Sequence, residues 1–346
     1  MNQSSPQGRR RRPSLADVAK HAGVSEGAVS KVIRKAYGVS PAMQERVQKA
    51  IEELNYRPRT GARGMRGQTF TIAIGSEIPQ IGNDFFTQVT LGAARKLAGS
   101  KYQLIIAPAL EGEGDQRVLD ALVDRQADGI IAISLDVGMS SLERIAEYVP
   151  VVLIGRHDLP SGYDTVTNDD ETGVVLAMNH LFGLGHRRIA HLTVQSTEAS
   201  PQSQPPHLIR HTIYEAQMRQ RGLAPQVVYT TASEGAAHHA ALQLLQGGDR
   251  PTAIFAGNDT LAVGALRAVA ELGLSAKDVS VVGYDNIELA SHPLVSLSTV
   301  NQYGEKTGEA AVELLLERIE QSRAEPRHVR LNPELIVRGS SAPVRS

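Results

Sequence analysis

From Phe70 onward, short apolar runs alternate with helix-patterned segments, and this alternation limits the possible folds more than any other feature. The runs are FTIAI, YQLIIA, GIIAIS, VVLIG, RIAHLT, QVVYTT, TAIFAG, VSVVGY and LSTV. Between them lie stretches such as FTQVTLGAARKLAG, TGVVLAMNHLFGLG and DTLAVGALRAVAELG. Apolar strands separated by helices are the pattern of parallel sheets covered on both faces. Nine such runs spread from Phe70 to Val300 are too many for one ordinary sheet, so two doubly wound units are expected.

The segment ahead of this body has a different character. Residues 1–67 carry 14 Lys and Arg against 5 Asp and Glu, and the remainder carries 22 against 32, so a formal net charge of -1 hides a basic head on an acidic body. That balance suits a polyanion-binding module joined to a separate domain. The N-terminal MNQSSPQGRRRRPS is basic, but no apolar stretch follows it, which argues against a secretory signal. No apolar run approaches bilayer length. The chain has no cysteine, which removes disulfides, thiolate metal sites and cysteine nucleophiles and fits a reducing compartment. A cytoplasmic location without a membrane partner is expected.

Three short helices are legible in the head. Ser14 with Asp17 three residues later has capping-box spacing, and Leu15, Val18, Ala19 and Ala22 follow at helical intervals. Gly23 supplies the positive φ of a tight turn. Ser25 caps a second helix whose inner face is Val29, Val32 and Ile33. Ser40 and Pro41 open a third, with Val47, Ala50, Ile51 and Leu54 as its stripe. This is the arrangement of a helix-turn-helix, whose second helix enters the DNA major groove. Its outward positions are Glu26, Gly27, Ala28, Ser30 and Lys31. Lys31 suits guanine O6/N7, Glu26 cytosine N4 and Ala28 a thymine methyl, while Ser25 and Ser30 suit phosphates. Ser14, Arg34 and Tyr56 complete the DNA-facing set. The simpler alternative makes Ser25 a cap and Glu26 a partner of the helix dipole.

SLADVAKHAGVSEGAVSKVI followed by VSPAMQERVQKAIEELNYRP resembles the head of the lactose-repressor/galactose-repressor (LacI/GalR) family, and the likeness runs from about Ser14 to Gly339. The resemblance implies an α/β protein with an N-terminal three-helix helix-turn-helix head. A two-lobed, doubly wound parallel-sheet core of the periplasmic-binding-protein type would follow. The implied division is a basic tail (1–13), the head (14–58), a hinge (59–69) and an effector-binding and dimerisation core (70–340). Within the core, the N-lobe spans about 70–167 and 300–330, and the C-lobe about 168–299 and 331–340. Relatives wedge an apolar side chain, usually leucine, into the minor groove from the hinge. Met65 occupies that position here, flanked by Arg63 and Arg66 for phosphate or minor-groove contacts. Gly61 and Gly64 depart from the family, each weakening a hinge helix by roughly 1 kcal/mol relative to alanine. The implied partners are a palindromic double-stranded operator, a small polar effector, most simply a sugar, and a second copy of the chain.

Ligands of open parallel sheets bind beyond the carboxyl ends of the strands. Carried over position by position, the resemblance makes Arg210, Asn258, Asp285 and Gln302 effector contacts and places Phe85 and Phe86 where relatives put aromatic rings. Asp84 and Arg156 complete the expected set. Gly155 stands where relatives carry an aspartate. Carboxylate, amide and guanidinium groups around an aromatic face suit a polyhydroxylated molecule, because each buried hydroxyl needs a partner. The alternatives are helix caps, turn residues and core phenylalanines. An α/β enzyme would need a G-x-G-x-x-G or G-x-x-x-x-G-K-[ST] loop after a strand, and the chain has neither. His207 and His211 stand four apart but lack a clear third ligand, so no metal or cofactor is expected. A transport-associated sugar-binding protein would have no use for the head.

Overall fold

The computed structural model describes residues 13–33, 36–54, 56, 69–77, 81, 83–109, 114–157, 160–195 and 205–345. The chain divides into two compact units, Met1–Thr69 and Phe70–Ser346. The first holds α1 (Leu15–Ala22), α2 (Glu26–Ile33) and α3 (Pro41–Glu53). Its capping box is complete, with Asp17 N–H donating to Ser14 Oγ at 3.2 Å and Ser14 N–H donating to Asp17 Oδ2 at 2.7 Å. Gly23 ends α1 at φ 64°, ψ 41°, a left-handed conformation that costs glycine nothing. Val18, Val29 and Val47 are fully buried, one from each helix, and Tyr56 packs into the same small core.

The second unit is built of two sheets. Its first lobe runs β1 (Thr71–Glu77), α4 (Asp84–Leu97), β2 (Gln103–Ala109), α5 (Asp115–Asp124), β3 (Gly129–Ile133), α6 (Met139–Ala146), β4 (Val151–Ile154) and β5 (Asp164–Asn168). The chain then crosses into α7 (Asp170–Gly183), β6 (Ile189–Val194), α8 (Pro206–Gln220), β7 (Gln226–Thr230), α9 (Glu234–Gln246), β8 (Ala253–Ala256), α10 (Asp259–Glu271), β9 (Ser280–Asp285) and β10 (Ser298–Asn301). It returns for α11 (Gly304–Gln321) and β11 (His328–Leu331), and crosses a third time into β12 (Glu334–Ile336). The sheet orders are β11-β5-β4-β3-β1-β2 and β12-β10-β9-β8-β6-β7. All neighbours are parallel except β12, which runs antiparallel to β10. Among the described residues no helix is long and apolar enough to cross a membrane.

Three of these strands, β5, β11 and β12, lie outside the nine apolar runs. Their sequences, DTVTN, HVRL and ELI, are short and polar, and neighbouring chain rather than composition makes them strands. Asp164, fully buried at the start of β5, accepts from Arg318 Nε at 2.9 Å, Arg323 NH2 at 2.7 Å and the Arg327 backbone N–H at 2.7 Å. That network ties β5 to the C-terminal end of α11 and to the loop leading into β11.

Two helices of the first lobe, α4 and α11, touch backbone to backbone. A Cβ on Gly92 would collide with the Glu305 carbonyl, and one on Gly308 would collide with the Val89 carbonyl and lie 2.8 Å from Ala93 N. Both helices begin at the sheet's carboxyl edge, so their close approach fixes the two helix starts relative to each other. Gly308→Ala should lower stability by about 1–3 kcal/mol, the usual cost of overpacking. The urea midpoint would fall at constant slope, and an unmoved midpoint would show that the helices separate freely.

Candidate ligand cleft and nucleic-acid interface

The carboxyl ends of both sheets face one cavity of about 80 Å³, lined from both lobes. Phe85, Arg156, Arg210, Asn258, Asp285 and Gln302, all singled out from the sequence, line it. Asp84 and Phe86 do not. They share the first turn of α4 with Phe85, but the roughly 100° between successive helical residues leaves Asp84 exposed and turns Phe86 into the first lobe's core. Ser134, His157, Asn168 and Asp170 also line the cavity without having been assigned to it from the sequence, as does His207, which was weighed there only as a metal ligand.

At the centre is a buried ion pair. Arg210 Nε donates to Asp170 Oδ1 at 2.7 Å, and the two side chains are 4% and 2% exposed. Arg210 also donates to the Gly257 carbonyl at 2.7 Å and to Gln302 Oε1 at 3.4 Å, while its guanidinium lies 3.7 Å from the centre of the Tyr284 ring. His157, from the loop after β4, donates to the other Asp170 oxygen at 2.8 Å across the lobes. Burial works against both charges, yet Arg210 holds the Asp170 carboxyl below its ordinary range, and Asp170 in turn raises the Arg210 pKa. Gln302 completes the chain, accepting from Asn168 Nδ2 at 3.0 Å and donating through Nε2 to Asp285 Oδ1.

Burial also acts on Asp285 and His207. Burial, more than the opposing pull of Arg210, moves the Asp285 pKa well above 3.8, and nearby Asp259 reinforces the shift. Burial lowers His207 to about 3. Asn258 Oδ1 is already engaged as the cap of α10, accepting from Leu261 N–H at 2.9 Å. Arg156 turns NH1 toward the carbonyls of Leu135 and Val137 and so braces the loop after β3. Gly155 sits at φ 81°, where a Cβ would lie 2.6 Å from Ser134 Oγ, so the backbone disfavours an aspartate there.

In the head, Ser25, Glu26, Gly27 and Lys31 are exposed on α2 or just before it, with Ala28 and Ser30 half-buried beside them, on the side opposite Val29 and Val32. Ser25 Oγ also caps the helix, accepting from Ala28 N–H at 3.2 Å. Ser14 is held by its capping box with Asp17. Tyr56 packs into the head's small core and is 7% exposed. Arg34, Arg63, Met65 and Arg66 lie outside the described residues.

Residues 14–59 match the profile for bacterial regulatory proteins of the lacI family, and residues 178–341 match a periplasmic binding protein-like domain. The ribose operon repressor of Escherichia coli K12 is 33% identical over 339 residues, covering 95% of this chain and 99% of that protein. The chain belongs to the LacI family. Its members include the lac repressor, whose dimer bound to operator and the anti-inducer ONPF superposes with a TM-score of 0.78 at 25% identity, covering 96% of this chain and all of that one. A ribose-bound LacI-family regulator from Enterococcus faecium superposes at 0.69 with 26% identity, covering 80% of this chain and 100% of its own. This LacI-family protein is a DNA-binding transcriptional regulator and not an enzyme.

Arg210→Met should cost about 3–5 kcal/mol by leaving the buried Asp170 without its arginine, with His157 as its remaining side-chain partner, and adding Asp170→Asn should recover part of the loss. Equal melting temperatures for the single and double variants would mean the two charges are not coupled. Asp285 behaves in the opposite sense. Its raised folded-state pKa means the folded chain keeps a proton that the unfolded chain releases above about pH 4, so stability falls as pH rises. Asn cannot ionise, so Asp285→Asn should melt higher than the wild type at pH 8, with the gain closing toward pH 4. A constant difference across that range would place the origin of the effect elsewhere.

Proposed function

We propose that this regulator is a repressor whose operator affinity is set by an uncharged, polyhydroxylated effector of the pentose class, held between the lobes. One observation carries the reading: the charges at the centre of the cleft are paired with each other, and uncharged amides stand around them. Asp170 and Arg210 compensate each other, burial disfavours the charged forms of Asp285 and His207, and the amides of Asn83, Asn168, Asn258 and Gln302 line the cavity beside them. A phosphate or carboxylate would find the Arg210 guanidinium already paired with Asp170, whereas sugar hydroxyls would find donors and acceptors in turn. Phe85 offers a ring face to the apolar side of a sugar. The ribose operon repressor and the ribose-bound Enterococcus regulator support the same ligand class.

On this reading Lys31, Glu26 and Ala28 meet base edges in the major groove, Ser14, Ser25, Ser30 and Arg34 meet phosphates, and Met65, Arg63 and Arg66 serve the minor groove. The regulator works in the cytoplasm, as a homodimer on a palindromic site. Among the described residues β2 and β7 each form one edge of a sheet, and the exposed Ile106 on β2 and Tyr229 on β7 suit that assembly. The lac repressor structure is a dimer on its operator.

A thermal-shift series with D-ribose, other aldopentoses, aldohexoses and D-ribose 5-phosphate tests the effector class. An uncharged sugar at a hundred times its Kd should stabilise the fold by about 2.7 kcal/mol, and the phosphate ester should do so far less. A response confined to anionic compounds would reject a neutral effector. For the head, log K for an operator duplex should fall linearly and steeply with log salt as phosphate counterions are released; a flat dependence would reject phosphate contact.

A further inference from the structure

The amide orientations around the ion pair are fixed by chemistry, because a guanidinium has only donors. The Gln302 atom facing Arg210 NH2 must therefore be Oε1, which turns Nε2 toward Asp285. The Asn168 atom facing Gln302 Oε1 must then be Nδ2. That leaves Asn168 Oδ1 on the far side of the amide. Asn168 lines the cavity at the end of β5 and is 6% exposed, and its Oδ1 is buried with no hydrogen-bond partner among the described residues. A buried carbonyl without a partner is costly, and Asn168 cannot turn its amide over without setting two oxygens against each other.

We infer that Asn168 is an effector-recognition residue whose side-chain oxygen accepts a hydrogen bond from one particular hydroxyl of the ligand. The inference deepens the neutral-sugar reading and rests on it. It adds a polarity rule: the effector must be a donor at that point, so a sugar lacking that hydroxyl, or carrying it as an ether or phosphate ester, is discriminated against. Asn168 stands where the chain first crosses between the lobes, and α7 begins two residues later with Asp170. A ligand bond to its oxygen would therefore form at the pivot of the cleft.

The test is a cycle of ligand and protein changes by isothermal titration on the full-length chain. Wild type, Asn168→Leu and Asn168→Ser are each titrated with D-ribose and with its 2-deoxy, 3-deoxy and 5-deoxy forms and the 1-deoxy form, 1,4-anhydro-D-ribitol. The serine variant covers the case in which leucine prevents folding. In the wild type, one deoxy form should bind about tenfold or more weakly than D-ribose, and in both variants that same penalty should disappear. If Asn168 only positions Gln302, the variants bind all forms more weakly but keep every deoxy penalty, and the inference is overturned while the sugar reading stands. If the wild type binds none of these sugars but takes an anionic ligand, the neutral-sugar reading falls and takes this inference with it. If it binds another neutral sugar, the same cycle is run on that sugar's deoxy forms, with the same two deciding outcomes.

Discussion

The salt bridge between Asp170 and Arg210 organises the effector half of the molecule. Neither charge is tolerable alone at that depth, since the desolvation penalty of a buried ion amounts to several kcal/mol even after relaxation. Each charge is kept by the other and by a full set of hydrogen bonds: His157 on the carboxylate, and the Gly257 carbonyl and Gln302 on the guanidinium. These partners come from the loop after β4, the end of β8 and the crossing after β10. A single ion pair therefore fixes the direction of the Gln302 and Asn168 amides and ties the start of α7 to both lobes. Such a pair is weak evidence for stability, because an apolar replacement of the same shape is often as good. What it provides here is a defined pattern of donors and acceptors around a cavity.

The backbone beside the pair is strained. Asp285 has φ 124° and Asn286 φ 58°, two consecutive non-glycine residues in a region that typically costs about 1–3 kcal/mol per residue. Hydrogen bonds hold them there. The Asn286 carbonyl accepts from Gln88 of α4 at 3.0 Å, its side-chain oxygen accepts from Arg338 at 2.8 Å, and Asp259 receives the Ile287 N–H at 2.9 Å and the Thr299 hydroxyl at 2.6 Å. The Asp285 carboxyl meets Gln302 in a setting whose burial raises its pKa well above 3.8.

The sequence was most legible where local rules and tertiary structure agree. Buried parallel strands must be apolar on both faces, so the nine runs stood out. The head was readable because Ser14, Gly23, Ser40 and Pro41 each carry a local conformational meaning that survives folding. Legibility failed where the meaning is tertiary. The polar β5 is a strand because its neighbours and two arginines of α11 and its C-terminal loop make it one. In the stretch NDDETG the two aspartates look alike as helix caps; Asp169 is the cap, accepting from Thr172 N–H at 2.9 Å, whereas Asp170 turns inward to an arginine forty residues away. Nothing local separates them. Asp84, Phe85 and Phe86 were readable as a group but not individually, because one residue of helical phase decides between solvent, cavity and core.

The cleft's own side chains limit what an effector can do to the regulator. His157 to Asp170 and Gln88 to the Asn286 carbonyl bridge the lobes directly, and Asn168 to Gln302 links two of the crossing strands. A closed arrangement thus has stabilising contacts of its own, and an effector gains no leverage by strengthening what both arrangements share. Its control over DNA affinity equals the difference in its affinity for the two arrangements, and inverting a 1:99 balance to 99:1 needs about 5.5 kcal/mol of that difference. Typical couplings of about 1–3 kcal/mol fall short of that, so such a regulator would be graded rather than absolute unless two subunits move together and sum their contributions. The residues best placed to supply the difference are those that line the cavity where the chain crosses between the lobes: Asn168, Asp170 and Gln302.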